Sequence, residues 1–245
     1  MAKRALLITV AGKSTRFSKS LGYEVLKSIY EEEDYPSILE RIMSYSKDLF
    51  DEIIIVGGYK YDELKTYAKV KEWNAKIVLN TDYEKGSLLS MQCGLKEISR
   101  STKELVFIEG DVAVDYNSFI RLVKTSDSAI GYTNQIITSN KSVVYYKTLQ
   151  DDIKYYYDSN HKFIHINEAF KSIVNSAQFW KFSNLILLNK LGREISNSAG
   201  DYTNLVLIEK YFRSVGENFS EVLIENWFNC NEVNDYKQSN LILKR

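Results

Sequence analysis

The chain has 245 residues, enough to bury a proper core in one large domain. Its 32 basic and 32 acidic residues cancel, so no global field draws it to nucleic acid or to an anionic membrane. Two cysteines without metal-site spacing, Cys93 and Cys230, argue against a disulfide framework and a structural zinc, and fit a reducing cytoplasm.

No run of about eighteen apolar residues occurs, so no membrane-spanning helix is expected. Lys3 and Arg4 precede an apolar run too short for a secretory signal and without its cleavage site. No repeat, linker or low-complexity tract divides the sequence, which reads as one cytoplasmic unit over 1–245.

In chain order, Leu6, Leu7, Ile8 and Val10 leave almost no polar face and predict a buried strand. It runs into Ala11-Gly12, where glycine allows a sharp turn and a close ligand, and then a loop bearing Lys13, Ser14, Thr15 and Arg16. A strand ending in such a loop suits phosphate. Gly12-Lys13-Ser14 is not the end of a P-loop, because the glycine required five residues earlier is Leu7, inside the strand. A plain turn with solvated charges is the competing reading of residues 11–27.

Pro36-Ser37 opens a helix with Ile38, Leu39, Ile42 and Met43 at helical spacing. Ile53–Val56 is a strand stopped by Gly57-Gly58, and Tyr59 to Tyr67 begins a helix. Lys76–Leu79 is a strand ending at Asn80, Gly86-Ser87 starts a helix with Leu88, Leu89, Met91 and Leu95, and Leu105–Ile108 is a strand ending in Glu109-Gly110-Asp111. Ser87 is a natural helix N-cap. This alternation predicts a three-layer, mostly parallel sheet with helices on both faces, its ligand beyond the carboxyl ends of the strands. The loops there are 11–17, 57–60, 80–87 and 109–112.

The second half predicts a small mixed β insertion: strands at Ala129–Tyr132, Ser142–Tyr146, Ile153–Tyr157 and Phe163–Ile166, with turns at 139–140 and 158–160. Helices are expected at Phe179–Asn197 and Tyr202–Arg213, closing strands at Ser220–Ile224 and Trp227–Asn231, and a short helix from Glu232.

Asp111, projecting from a strand end, is the residue most suited to Mg²⁺, a cation that takes one or two protein carboxylates beside substrate phosphates. A turn aspartate is the plainer alternative. The aromatic second half (Tyr145, Tyr146, Tyr155, Tyr156, Tyr157, Phe163, Phe179, Trp180, Phe182) could form a cage for a quaternary ammonium beside Asp152, Asp158, Glu168 or Asp201, and core packing explains the rings equally well. His161 and His165 are assigned no role.

The ordered set Ala11-Gly12-Lys13-Ser14-Thr15-Arg16, Lys27, Gly58-Tyr59-Lys60, Asn80, Gly86-Ser87, Gly110-Asp111-Val112 and Trp227–Asn231 with Asp235 resembles the nucleoside-triphosphate transferase family of GT-A-like (Rossmann-like) nucleotidyltransferases. It is most similar to the phosphocholine-type cytidylyltransferases. The resemblance implies a Mg²⁺-dependent enzyme that joins an NTP, by preference CTP, to a small phosphorylated or phosphonate acceptor and releases pyrophosphate. It implies Arg16 and Lys27 as catalytic residues. Ala11, Gly12, Lys13, Ser14, Thr15, Asn80, Gly86 and Ser87 would bind nucleotide, and Asp111 with Asn231 or Asn229 would hold the metal. Residues 1–125 would form the NTP half and 126–245 the acceptor-binding and closing half, and a homodimer is compatible with it. Four positions depart from the pattern: Leu26 stands where proline usually precedes the lysine, Lys13 replaces a small residue, and Asn229 and Asn231 stand where aspartate is common. A sugar-1-phosphate nucleotidylyltransferase and a non-catalytic nucleotide-binding relative are the alternatives. A glycosyltransferase would need an Asp-x-Asp motif that Gly110-Asp111-Val112 is not.

Overall fold

The computed structural model describes residues 3–135, 142–158, 169–195 and 203–243. The first half alternates as its sequence predicts: β1 (Arg4–Thr9), α1 (Thr15–Leu21), α2 (Ile38–Ser46), β2 (Glu52–Gly57), α3 (Tyr61–Val70), β3 (Lys76–Leu79), α4 (Ser87–Glu97), β4 (Glu104–Glu109), β5 (Val112–Val114) and α5 (Tyr116–Val123). Then come β6 (Ser128–Thr133), β7 (Ser142–Thr148), β8 (Ile153–Asp158), β9 (Phe170–Phe182), α6 (Leu185–Glu194), α7 (Leu205–Val215), β10 (Phe219–Leu223), β11 (Trp227–Asn229) and α8 (Val233–Ile242).

Among the described residues nine strands form one sheet, in the order β10-β6-β9-β4-β1-β2-β3, with β7 attached to β9 and β8 to β7. The pairs β1–β2, β1–β4, β2–β3 and β6–β10 are parallel. Alternation along β1 explains the three layers. Leu6 and Ile8 join the core under Phe17, Ile38, Ile42 and Phe119, while Ala5 and Leu7 join the core under Leu88, Met91 and Leu188. Both faces of the strand are therefore buried, and each of Leu6, Leu7 and Ile8 contributes about 1.5–3 kcal/mol of transfer free energy. The mostly parallel three-layer architecture and the mixed β addition are as the sequence predicts.

The second half departs from the sequence reading at its centre. Phe179 begins no helix, because residues 179–182 are the end of the thirteen-residue strand β9. Phe179, Trp180, Lys181 and Phe182 are all fully buried, so no polar face marks them as a strand. β9 runs antiparallel between β6 and β4 at its C-terminal end, and pairs with β7 nearer its start. α1, β5 and α5 are elements the pattern reading left out. The expected strand Phe163–Ile166, the turn at 139–140, residues 159 and 160, and His161, His165, Glu168 and Asp201 lie outside the described residues. The side chains of Tyr156, Tyr157, Asp158 and Phe163, on which the expected aromatic cage also drew, lie outside the described residues. Tyr145, Phe179, Trp180 and Phe182 are core, and Trp180 stacks on Phe107 with ring centroids 5.5 Å apart.

The chain end closes over the first half. Arg41 is buried on α2, where its guanidinium donates to the Leu243 carbonyl at 2.8 Å and to Asn240 Oδ1 at 2.6 Å. Glu232 caps α8 in a reciprocal capping box with Asp235. Trp180→Ala should lower unfolding stability by about 3–5 kcal/mol, read from the urea midpoint, because it empties a fully buried site and leaves the Tyr155 hydroxyl without its indole N–H donor.

Candidate active site

The strand ends beyond β1 and β4 surround a cavity of about 250 Å³. It is lined by Thr9–Gly12, Ser14, Leu26–Ser28, Tyr83, Ser87, Ser90 and Glu109–Asp111. The loop after β1 is held from two sides: the Ala11 carbonyl accepts from Tyr59 N at 3.0 Å, and Ser14 Oγ accepts from Lys27 N at 3.1 Å. The left-handed residue of this turn is Ser14, with φ 56°, and not Gly12. A Cβ added at Gly12 would meet nothing within 4 Å. The glycine therefore leaves open space rather than making the turn.

Gly110 and Gly58 are required by close approach. A Cβ at Gly110 would lie 2.9 Å from the Thr9 carbonyl and 2.2 Å from Val10 Cγ1, and one at Gly58 would lie 2.6 Å from Tyr83. The first lets β4 run tight against β1 before turning to Asp111. The second lets Tyr83 form a wall of the cavity.

The structure brings Lys27 and Asp111 together. The ammonium lies 2.8 Å from Asp111 Oδ2, both side chains being largely buried. β11 pairs antiparallel with β5, aligning Asn229 with Val112, and Cys230 N donates to the Asp111 carbonyl at 2.8 Å. The backbone pairing thus sets Asn229 opposite the residue after Asp111 and Cys230 against Asp111 itself. Asn231 Oδ1 accepts from Arg16 Nη2 at 2.6 Å, which ties the helix after the first loop to the segment after β11.

Other expected residues stand elsewhere. Lys13, Thr15, Arg16, Asn80, Gly86, Asn229 and Asn231 are not among the cavity-lining residues. Lys13 forms an exposed ion pair with Glu84 at the cavity's rim. Asn80 is buried, donating to Ser90 Oγ at 3.0 Å and accepting from Asp82 N at 2.9 Å, so it shapes the loop. Ser87 is not the N-cap of α4. That position is Gly86, with φ 112°, and the Ser87 hydroxyl instead accepts from Asn204 N at 3.0 Å. Asp235 accepts from Asn231 N and Glu232 N, so its carboxylate is spent on the helix cap.

Three polar residues escaped the sequence reading. Glu109 ends β4 with Oε1 accepting from Asn204 Nδ2 at 2.8 Å and Oε2 from Gln178 Nε2 at 2.5 Å. Burial, and then the Asp111 carboxylate, push its pKa up to about 7, while the two amide donors pull it down. Gln178 occupies an irregularity of β9, between the pairs Ile130–Trp180 and Tyr132–Ser176, and has φ 53°. A left-handed glutamine costs on the order of 1–3 kcal/mol and persists where its surroundings over-determine it. Glu109 carried a local signal, as a third polar residue at the same strand end. Gln178 and Asn204 carried none, since their partners lie 69 and 95 residues away.

Among the described residues, four buried side-chain polar atoms have no hydrogen-bond partner: Ser28 Oγ, Asp111 Oδ1, Asn229 Oδ1 and Asn231 Nδ2. Such atoms are costly unless something else meets them. One carboxylate oxygen and one amide oxygen, on aligned segments, fit the donor set of a hard divalent cation that also takes phosphate oxygens. Among the described residues no cluster of three or more His, Cys, Asp or Glu side chains forms a metal cage.

In fold, the chain is similar to two solved enzymes. One is the inositol-1-phosphate CTP transferase from T. maritima, with a TM-score of 0.75 and 14% identity, covering 100% of this chain and 98% of that one. The other is the CTP:phosphocholine cytidylyltransferase from Streptococcus pneumoniae, with a TM-score of 0.72 and 14% identity, covering 99% of this chain and 100% of that one. The likeness shows the fold, which is the nucleotidyltransferase fold that the motif order resembles. No curated protein matches the sequence. The chain belongs to the family described as a domain of unknown function, DUF6564, whose model matches residues 23–242.

Gly110→Ala should destabilise the protein by about 1–3 kcal/mol, visible as a lowered melting temperature, because the new methyl meets a backbone carbonyl that cannot rotate away.

Proposed function

We propose that the protein is a nucleotidyltransferase that joins an NTP, by preference CTP, to a small phosphorylated or phosphonate acceptor. The observation that carries this reading is the Lys27–Asp111 pair at the mouth of a strand-end cavity, with the second Asp111 oxygen unpartnered. An acceptor phosphate oxygen attacks the α-phosphorus, the bond from that phosphorus to the bridging oxygen breaks, and pyrophosphate leaves with the electron pair. Such chemistry asks the protein for positioning and charge neutralisation rather than covalent participation.

Lys27 supplies charge at the α-phosphate. Arg16, held by Asn231, and Lys13, once released from Glu84, face the leaving β- and γ-phosphates. The open space at Gly12 lets the triphosphate approach the backbone, beside Ala11, Ser14 and Thr15. The base lies toward Ser87 and Tyr83, in the loop shaped by Asn80 and Gly86. Asp111 and an asparagine of the β11 segment would hold Mg²⁺, which when bound offsets phosphate charge. The acceptor lies toward the second half of the chain.

The asparagines at 229 and 231 favour a second reading, a nucleotide-binding protein without turnover, since amide ligands bring no charge to the metal. A pyrophosphate-release screen of NTPs against phosphocholine, aminoethylphosphonate and hexose 1-phosphates separates the readings. Turnover with CTP and one acceptor class supports the proposal. Thermal stabilisation by CTP and Mg²⁺ with no turnover across the panel supports the second reading. In the active pair, Lys27→Ala and Asp111→Ala should each lower turnover by about 100-fold or more while the fold survives. Gly12→Ala should leave the melting temperature nearly unchanged and weaken NTP binding by about 10-fold or more, because its methyl enters ligand space rather than protein.

A further inference from the structure

Glu109, Gln178 and Asn229 form a chain in which each hydrogen bond sets the direction of the next. Both oxygens of Glu109 accept: Gln178 presents Nε2 to Oε2 at 2.5 Å, and Asn204 presents Nδ2 to Oε1 at 2.8 Å. With its nitrogen committed, Gln178 turns Oε1 toward Asn229, and Asn229 answers with Nδ2 at 2.9 Å. The remaining atom of that amide, Oδ1, is then the one left buried without a protein partner, as Asp111 Oδ1 is. Asn231 is set the other way round: its oxygen is committed to Arg16 and its Nδ2 is the unpartnered atom.

The position of Gln178 is built for this. The last pair of β4 with β9 is Ile108 with Phe179, and the strands are antiparallel, so Gln178, one residue past that pair, stands at the level of Glu109, the last residue of β4. The irregularity is pinned by side chains: Ser176 Oγ accepts from Gln178 N at 3.2 Å, and Trp227 Nε1 donates to the Ala177 carbonyl at 2.8 Å. An aspartate at 229 would offer oxygen in either orientation, whereas an amide does so in one of two.

We infer that Gln178 is a positioning residue that fixes the Asn229 amide with its oxygen free for a divalent cation, so that Asn229, and not Asn231, partners Asp111 as a ligand. The inference rests on the proposed metal–nucleotide reading of the site.

The test follows protein-bound Mn²⁺ by enhancement of solvent-proton relaxation as Mn²⁺ is titrated into the full chain with saturating CTP and no acceptor. Gln178→Met and Asn229→Ala should each weaken Mn²⁺ binding by about 10-fold or more, as loss of an orienting partner or a ligand does, and Asn231→Ala by less than about 3-fold. In an Asn229→Asp background, Gln178→Met should change Mn²⁺ affinity by less than about 3-fold, because a carboxylate needs no orienting. That double variant also shows that a methionine at 178 permits folding, and each variant's melting curve is recorded beside its titration. Equal Mn²⁺ binding by the wild type and Gln178→Met overturns the inference and leaves the proposed function standing. An equal loss in both backgrounds, or a larger loss at 231 than at 229, also overturns it. A wild-type protein that holds no Mn²⁺ with CTP overturns the metal reading and the inference together.

Discussion

Glu109 ends the strand that lies between β1 and β9, and a carboxylate with so little water around it has to be surrounded by donors. Two amides meet it, from the segment before α7 and from β9, and they draw those parts of the chain onto the end of the parallel sheet. Asn204 in turn engages Ser87 at the start of α4, and Gln178 engages Asn229 on β11. One carboxyl group thus relates four elements that share no sequence neighbourhood. Within this network Asn229 Oδ1 is left without a protein partner, and a polar network with an unmet member is costly unless a ligand meets it.

The first half of the fold was legible because its strands are short apolar runs bounded by turn residues, with helical spacing between them. The same rule hid β9. Its last residues face packed layers on both sides and sit at the middle of the sheet, so neither alternation nor a polar stripe distinguishes them from a buried helix. Lys181 is a lysine inside that run, fully buried and answered by the carbonyls of Val123 and Thr125 and by Glu104 at 3.2 Å. A sequence reader counts it as polar and exposed.

The candidate site divides similarly. Lys27, Asp111 and the Ala11-Gly12 loop could be found because strand ends and glycines mark them locally. Ser87 was misread because a serine before a helix is a cap by default, and only its approach to Asn204, 117 residues away, redirects the hydroxyl. Glycine at 12 suggested a tight turn, but the left-handed residue fell at Ser14, where the hydroxyl is also used by Lys27 N. Residue identity carries propensity; the partner that claims a polar atom is a tertiary fact.

The bond from Arg16 to Asn231 spans 215 positions. Closing so wide a loop is entropically unfavourable until the intervening sheet is in place, and it adds little to the local order of either end. During synthesis the first loop leaves the ribosome long before β11 exists, so an emerging chain that already includes β1 to β4 still lacks the β11 side of the candidate site. The tie between Arg16 and the segment after β11 then works as a completion mark: the assembled site, and any ligand that requires both of its sides, belongs only to a molecule whose last elements have docked.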